Sequence, residues 1–361
     1  MSISIGIVGL ANVGKSTLFK ALTKNPVDIS NYPFCTIEPN IGIVKVPDER
    51  LLKLTKFTTS GRSIPAVIKF VDIAGLVKNA HKGEGLGNQF LAHIREVDAI
   101  LYVLRGFENK KVPSSEEGIN PKRDLEIIIS ELILKDIETI EKRLESLKKE
   151  IKKGEKKAIE EMEIIREVQE SLNKEEMVIK YLERFSEKER ERRIEFLKPL
   201  CLLTGKKGII LLNTNDSKTD EQLKRKAKEL GFPYIVLDAK EACEISELTE
   251  EEKKELGIKA NPLDSLIRTS YKILDLITFF TIKEDKSEVR AWSIKKGTKA
   301  PKAAGIIHSD FEKKFIKVEV INWKKLLNFE SWAEAKGAGA IKTEGKDYEI
   351  KDGDVILVKH G

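Results

Sequence analysis

Cysteine is scarce. The chain holds three, at positions 35, 201 and 243, unclustered and odd in number. Neither a disulfide framework nor a zinc site is expected from them, and a reducing compartment fits. Aromatic residues make up only 6% of the chain and charged residues 34%, which suggests long solvated helices beside a globular core. No apolar run approaches the roughly 20 residues that a membrane span needs. The amino terminus enters an apolar segment at once, leaving no room for a signal peptide, so a soluble cytoplasmic protein is expected. Net charge is +6, mild for 361 residues. It permits an anionic partner such as RNA without demanding one. Internal repeats and low-complexity tracts are also missing.

What is present begins at Gly9-Leu10-Ala11-Asn12-Val13-Gly14-Lys15-Ser16-Thr17, which fits the phosphate-loop pattern of Gly, four residues, then Gly-Lys-Ser. Ile3, Ile5, Ile7 and Val8 read as a strand before it, and Leu18 to Leu22 open a helix after it. Glycine lets the backbone turn so that successive amides face one point, and the helix adds its positive end. Lys15 is placed to neutralise β- and γ-phosphates, and the Ser16 hydroxyl to bind Mg²⁺. The nucleotide is thus expected on Asn12, Val13, Gly14, Lys15, Ser16 and Thr17. Asp72-Ile73-Ala74-Gly75 ends a later strand; Asp72 suits Mg²⁺ contact through water, and the Gly75 amide suits the γ-phosphate. Thr36, in the loop after the first helix, either joins the Mg²⁺ shell while a γ-phosphate is present or is an ordinary loop residue.

Asn213-Thr214-Asn215-Asp216 follows another strand, where GTPases carry Asn-Lys-x-Asp to read guanine. Thr214 stands in place of the Lys, so these residues leave the base open. Asp238-Ala239-Lys240 follows the last strand and is expected to present backbone groups to the base edge.

The order of elements predicts an α/β fold with phosphate chemistry at the carboxyl ends of its strands. Ile133, Ile137, Ile140, Leu144, Leu147 and Ile151 form a heptad seam that Gly154 interrupts. A second charged helical run carries Ala158, Met162, Ile165, Val168 and Leu172. Together they read as an antiparallel hairpin with Lys148, Lys149, Lys152, Lys153, Lys156 and Lys157 at its tip. Strand signals resume at 208–212 and 234–237, so the hairpin is an insertion. The expected domains are 1–123 with 200–277 for nucleotide binding, 124–199 for the helical insertion, and 278–361 for a small separate α+β domain of several strands and one short helix.

The stretch from Asn31 to Asn40, Asp72 to Lys78, and Lys82-Gly83-Glu84-Gly85-Leu86-Gly87-Asn88 resemble the switch regions of the YchF / Obg-like ATPase family. Arg290-Ala291-Trp292, Ala300 to Gly305, His308, Asp310 to Lys313 and Glu344 to Tyr348 resemble its C-terminal TGS domain. The resemblance covers nearly the whole chain. It implies a Ras-like P-loop NTPase domain with an inserted coiled coil and a C-terminal β-grasp-like TGS domain. It also implies a ribosome-associated, monomeric ATPase that uses Mg²⁺ and K⁺, with Asn12 where K⁺-stimulated relatives carry an Asn ligand. No membrane and no DNA partner is implied; ribosomal RNA is expected at the lysine-rich hairpin tip and the TGS domain.

The chain departs from Ras-like enzymes at one point and from the family at two. Leu76 stands where Ras-like enzymes keep a water-orienting glutamine, and Ser114 where family members carry a histidine. His81 offers a catalytic substitute or is a surface residue. Asp216 replaces the usual Glu and restores part of the guanine-reading geometry, so GTP competes with the ATP that the resemblance implies. Slow hydrolysis follows, or a nucleotide-gated binding module with negligible turnover.

Overall fold

The computed structural model describes residues 3–24, 40–58, 61–73, 93–108, 118–216, 219–258, 260–283 and 287–361. The first strand and helix are β1 (Ser4–Val8) and α1 (Lys15–Thr23), followed by β2 (Ile41–Lys45), α2 (Glu49–Thr58), β3 (Arg62–Ile64), β4 (Val67–Asp72) and β5 (Ala99–Arg105). Then come α3 (Pro121–Lys152), α4 (Lys156–Asn173), α5 (Val178–Glu183) and α6 (Glu187–Leu197). The α/β pattern returns with β6 (Lys207–Asn213), α7 (Glu221–Leu230), β7 (Tyr234–Leu237), α8 (Ala239–Glu247), α9 (Glu250–Glu255) and α10 (Leu263–Ile273). The last part holds β8 (Leu276–Ile282), β9 (Glu288–Lys295), α11 (Ala300–Ile307), α12 (Ser309–Lys313), β10 (Phe315–Asn322), α13 (Trp323–Leu326), α14 (Trp332–Gly337), β11 (Lys342–Glu344) and β12 (Asp354–His360).

Two six-stranded sheets form among the described residues. The first has the order β2-β4-β1-β5-β6-β7, parallel except for the antiparallel β2–β4 pair. Its strands alternate between two cores, as a period of two requires. Ala99, Leu101 and Val103 of β5 face one side; Ile100, Tyr102 and Leu104 face the other, where the helical insertion packs. A strand buried on both faces reads as an unbroken apolar run, which is why β5 was visible in the sequence.

The second sheet has the order β11-β10-β12-β8-β9-β3. Here alternation again divides the side chains. Phe280, Ala291, Ile321 and Val355 join the core that also holds Ile5, Ile7 and Leu18. Phe279, Trp292, Val320 and Ile356 join a smaller core under α11. The C-terminal sheet therefore shares one hydrophobic layer with the phosphate-loop sheet. The C-terminal domain thus packs directly on the nucleotide-binding part. The physical reason is β3, which pairs parallel with β9 through Arg62↔Glu288, Ser63↔Val289 and Ile64↔Arg290. The amino-terminal part thus lends a strand to the C-terminal sheet. Among the described residues, the single short helix expected there is instead four, α11 to α14.

The hairpin forms as its seam predicts. Ile133, Ile140 and Leu147 of α3 are buried with Ile165, Val168 and Leu172 of α4. Asn120 caps α3 through its side chain, which accepts from the Arg123 amide, and Pro121 occupies the first turn, so the helix starts three residues before the expected boundary. Gly154 at the turn adopts φ 87°, a left-handed conformation that suits glycine. Arg143 clamps the two helices, donating to Glu150 at 2.7 Å and to Glu161 at 2.6 Å. The α5 and α6 helices that complete the insertion were not anticipated. Among the described residues no helix is long and apolar enough to cross a membrane.

Candidate functional site

The site is built where β1 turns into α1. All five residues of β1 are buried, so the strand end is held firmly. Asn12 and Gly14 then take φ of 62° and 98°. Gly14 is required twice over: its φ disfavours a side chain, and a Cβ there would come within 2.2 Å of the side-chain Nδ2 of Asn213. With Gly14 as N-cap, α1 has no capping side chain and no acidic residue in its first turn. Its leading amides and positive end therefore remain suited to an anion.

Lys15 is 8% exposed and folds back over the loop, donating from Nζ to Gly9 O at 3.1 Å and Leu10 O at 2.7 Å. Burial pulls its pKa down, while the Asp72 carboxylate acts the other way. Asp72 is the last residue of β4, beside β1 in the sheet. Burial pushes its pKa up, and Lys15 and a hydrogen bond from Ser16 oppose that shift. Lys15, Ser16 and Asp72, far apart in sequence for the last, are thus one electrostatic unit. Ser16 and Thr17 are exposed at the helix start. A hydroxyl and a carboxylate are hard oxygen donors, so this pair fits Mg²⁺.

Asn213 acts as a brace. Its Nδ2 donates to Val13 O at 2.9 Å, and its Oδ1 accepts from Ala239 N at 2.9 Å. One buried amide therefore ties the phosphate loop to the loop after β7. The Thr214 amide donates to Leu237 O at 3.1 Å, and its hydroxyl to Asp216 Oδ1 at 2.8 Å. Asp238 caps α8, accepting from the Lys240 and Glu241 amides at 2.8 and 3.0 Å. Ala239 is buried, whereas the Lys240 side chain is 83% exposed and lies 3.6 Å from Glu244. An open cleft of about 520 Å³ beside this loop is lined by Gly106, Asn120, Leu212, Thr214, Asp216 and Asp220, among others.

Val13, Gly14, Lys15, Ser16, Asp72, Asn213, Thr214, Asp216 and Ala239 thus meet at the carboxyl ends of β1, β4, β6 and β7. Asn12 and Thr17 are exposed on the rim. Thr36, Gly75 and His81 lie outside the described residues, as do Leu76 and Ser114. Sequence reasoning did not find the bracing role of Asn213 or the hydroxyl of Thr214. The second had a signal: Thr and Asp two apart are a spacing at which short polar side chains bond locally.

The comparisons agree along the whole chain. A family model described as "50S ribosome-binding GTPase" matches residues 4–149, and one for the C-terminal part of YchF GTPases, described as "Protein of unknown function (DUF933)", matches residues 276–361. The curated "Ribosome-binding ATPase YchF" of Bacillus subtilis is 44% identical, over 99% of this chain and 98% of its own length. That of Mycoplasma genitalium is 46% identical over 99% of each chain. The solved structure of the Schizosaccharomyces pombe YchF GTPase superposes with a TM-score of 0.84 at 38% identity, covering 99% of this chain and 98% of that one. Phosphate loop, inserted hairpin and C-terminal sheet all fall within these matches, and the chain belongs to the YchF family.

Proposed function

We propose that the chain is a ribosome-binding NTPase of the cytoplasm that hydrolyses ATP slowly to ADP and phosphate. The observation that carries this is the Lys15–Ser16–Asp72 unit at the end of β1, in a chain 44% identical end to end to a curated ribosome-binding ATPase. The loop amides and Lys15 bind the β- and γ-phosphates, and the start of α1 favours their charge. When bound, Mg²⁺ would be held by Ser16, with Asp72 through water and Thr36 on the γ-phosphate side; it would neutralise phosphate charge. A K⁺ near Asn12 would offset further charge. Water attacks the γ-phosphorus in line as the bond to the β-phosphate oxygen breaks. Lys15 and the Gly75 amide stabilise the transferring group, and His81 is the candidate to orient the water. Phosphate release from purified protein with magnesium and potassium tests this. Lys15→Ala is expected to abolish multiple turnover, and unchanged hydrolysis would refute the scheme.

The base contacts proposed are the backbone of Thr214 and the Asp238–Ala239–Lys240 segment, beside Asp216. GTP stands as a second reading because Asn213 and Asp216 occupy the positions of a guanine-reading motif. Ribosomal RNA is the proposed contact of the hairpin tip and the C-terminal sheet, with the chain a monomer. The six tip lysines are exposed, and the nearby Glu150 is engaged by Arg143 and Ser146. Phosphate contacts predict ribosome co-sedimentation that falls steeply with salt, so salt-independent pelleting would count against them.

A further inference from the structure

We propose that the Thr214 hydroxyl sets base selectivity, by holding the Asp216 carboxylate within its own loop and away from a guanine. The proposal rests on the nucleotide-binding reading above and adds the device that would discriminate between bases. Thr214 is 3% exposed, so its hydroxyl is shielded from competing water. Its oxygen lies 2.8 Å from Asp216 Oδ1 and 3.3 Å from Gly106 O. A hydroxyl has one hydrogen to give, and the shorter contact goes to a charged acceptor, the stronger of the two. The backbone at this point has little freedom. Asn213 is pinned to Val13 and Ala239, and the Thr214 amide to Leu237. Within this fixed frame the Thr214 hydroxyl holds one oxygen of the Asp216 side chain toward its own loop.

The chemistry of the two purines gives that orientation a consequence. Guanine presents a ring N–H and an amino group side by side, a pair that two carboxylate oxygens match when both turn toward it. Adenine presents one amino group beside a ring nitrogen that is itself an acceptor and repels a carboxylate. An Asp held by Oδ1 in its own loop gives up the two-oxygen grip on guanine and eases the repulsion toward adenine. Thr214 is thus a positioning residue. It lets a chain that carries Asp at this place favour the adenine nucleotide.

Competition of unlabelled ATP and GTP for a fluorescent nucleotide, with the full-length chain in magnesium buffer, tests this. The parent chain is expected to prefer ATP. Thr214→Val keeps the shape and removes the hydroxyl, and should shift the GTP-to-ATP affinity ratio about tenfold toward GTP, the scale of one charge-assisted hydrogen bond. Thr214→Ser, which restores a hydroxyl, should hold the parent ratio within about twofold. In an Asp216→Ala background, Thr214→Val should leave the ratio alone, because the acceptor it acts through is gone. An unchanged ratio in Thr214→Val, an equal shift in Thr214→Ser, or a persisting shift in the Asp216→Ala background would each overturn the proposal. If Thr214→Val does not fold by circular dichroism, Thr214→Ala carries the same expectation. Failure of the parent chain to bind either nucleotide would instead overturn the nucleotide reading beneath it.

Discussion

At the scale of single residues, the most consequential buried charge outside the nucleotide site is Asp136 on α3. It is 1% exposed and accepts from Leu203 N at 2.8 Å, Thr204 N at 2.8 Å and Thr204 Oγ1 at 2.7 Å. These bonds close the helical insertion where the chain returns to β6. Burial wins over the hydrogen bonds and pushes its pKa up to about 6. The folded protein therefore holds this proton more tightly than the unfolded chain does. Its contribution to stability is greatest at low pH and declines as pH rises from the usual carboxylate range through about 6. Asp136→Asn would turn an NH₂ group toward a buried amide, at a cost of about 1–3 kcal/mol at neutral pH, and would remove that decline. Urea unfolding of both proteins from pH 4 to 7 measures both effects. The phosphate loop was legible because its spacing is a fixed pattern. Asp136 was not, because nothing in an Asp on a charged helix marks the amides it will meet far along the chain.

At the scale of elements, the hairpin and β3 lie at opposite ends of legibility. The heptad seam of α3 repeats over many turns, so its face, its partner and its turn at Gly154 could all be read. By contrast, β3 has only three residues, too short for a period to show, and its partner β9 lies in the last quarter of the chain. Ile64 is 3% exposed and gives this strand its buried anchor. Ile64→Ala is expected to cost about 2–4 kcal/mol. Faster amide exchange should appear in β9 as well as in β3, and an effect confined to β3 would contradict the pairing. The loops that follow β6 and β7 were half legible. Their positions followed from topology, but the Asn213 brace depends on partners at Val13 and Ala239 that no local pattern marks.

At the scale of the molecule, two sheets and their shared helical layer act as a single packed body. Arg50 is the polar latch between them. It donates to Asp48 at 2.9, 3.1 and 2.7 Å and to Asp352 at 2.6 Å, and its guanidinium lies 5.4 Å from the Phe280 ring centre. Asp352 also accepts from Thr278 N at 2.9 Å, so the latch reaches the first strand of the C-terminal sheet. Arg50→Ala removes a fork-shaped set of bonds and leaves two carboxylates facing one another. A loss of about 1–3 kcal/mol is expected, partly offset by solvent at Asp352. Calorimetry should still show a single transition that moves to lower temperature. Two separated transitions would mean that the sheets melt independently.

The loan of β3 has a practical corollary for anyone dissecting this chain. Its strands β3 and β4 are consecutive yet belong to different sheets, joined only by Pro65 and Ala66. A fragment ending before β8 would strip Ile64 of its neighbour strand and bare the apolar layer above Leu18 and Leu54. Such an amputated nucleotide unit should aggregate on expression, while Asp72, a few residues past the orphaned strand, loses its fixed footing.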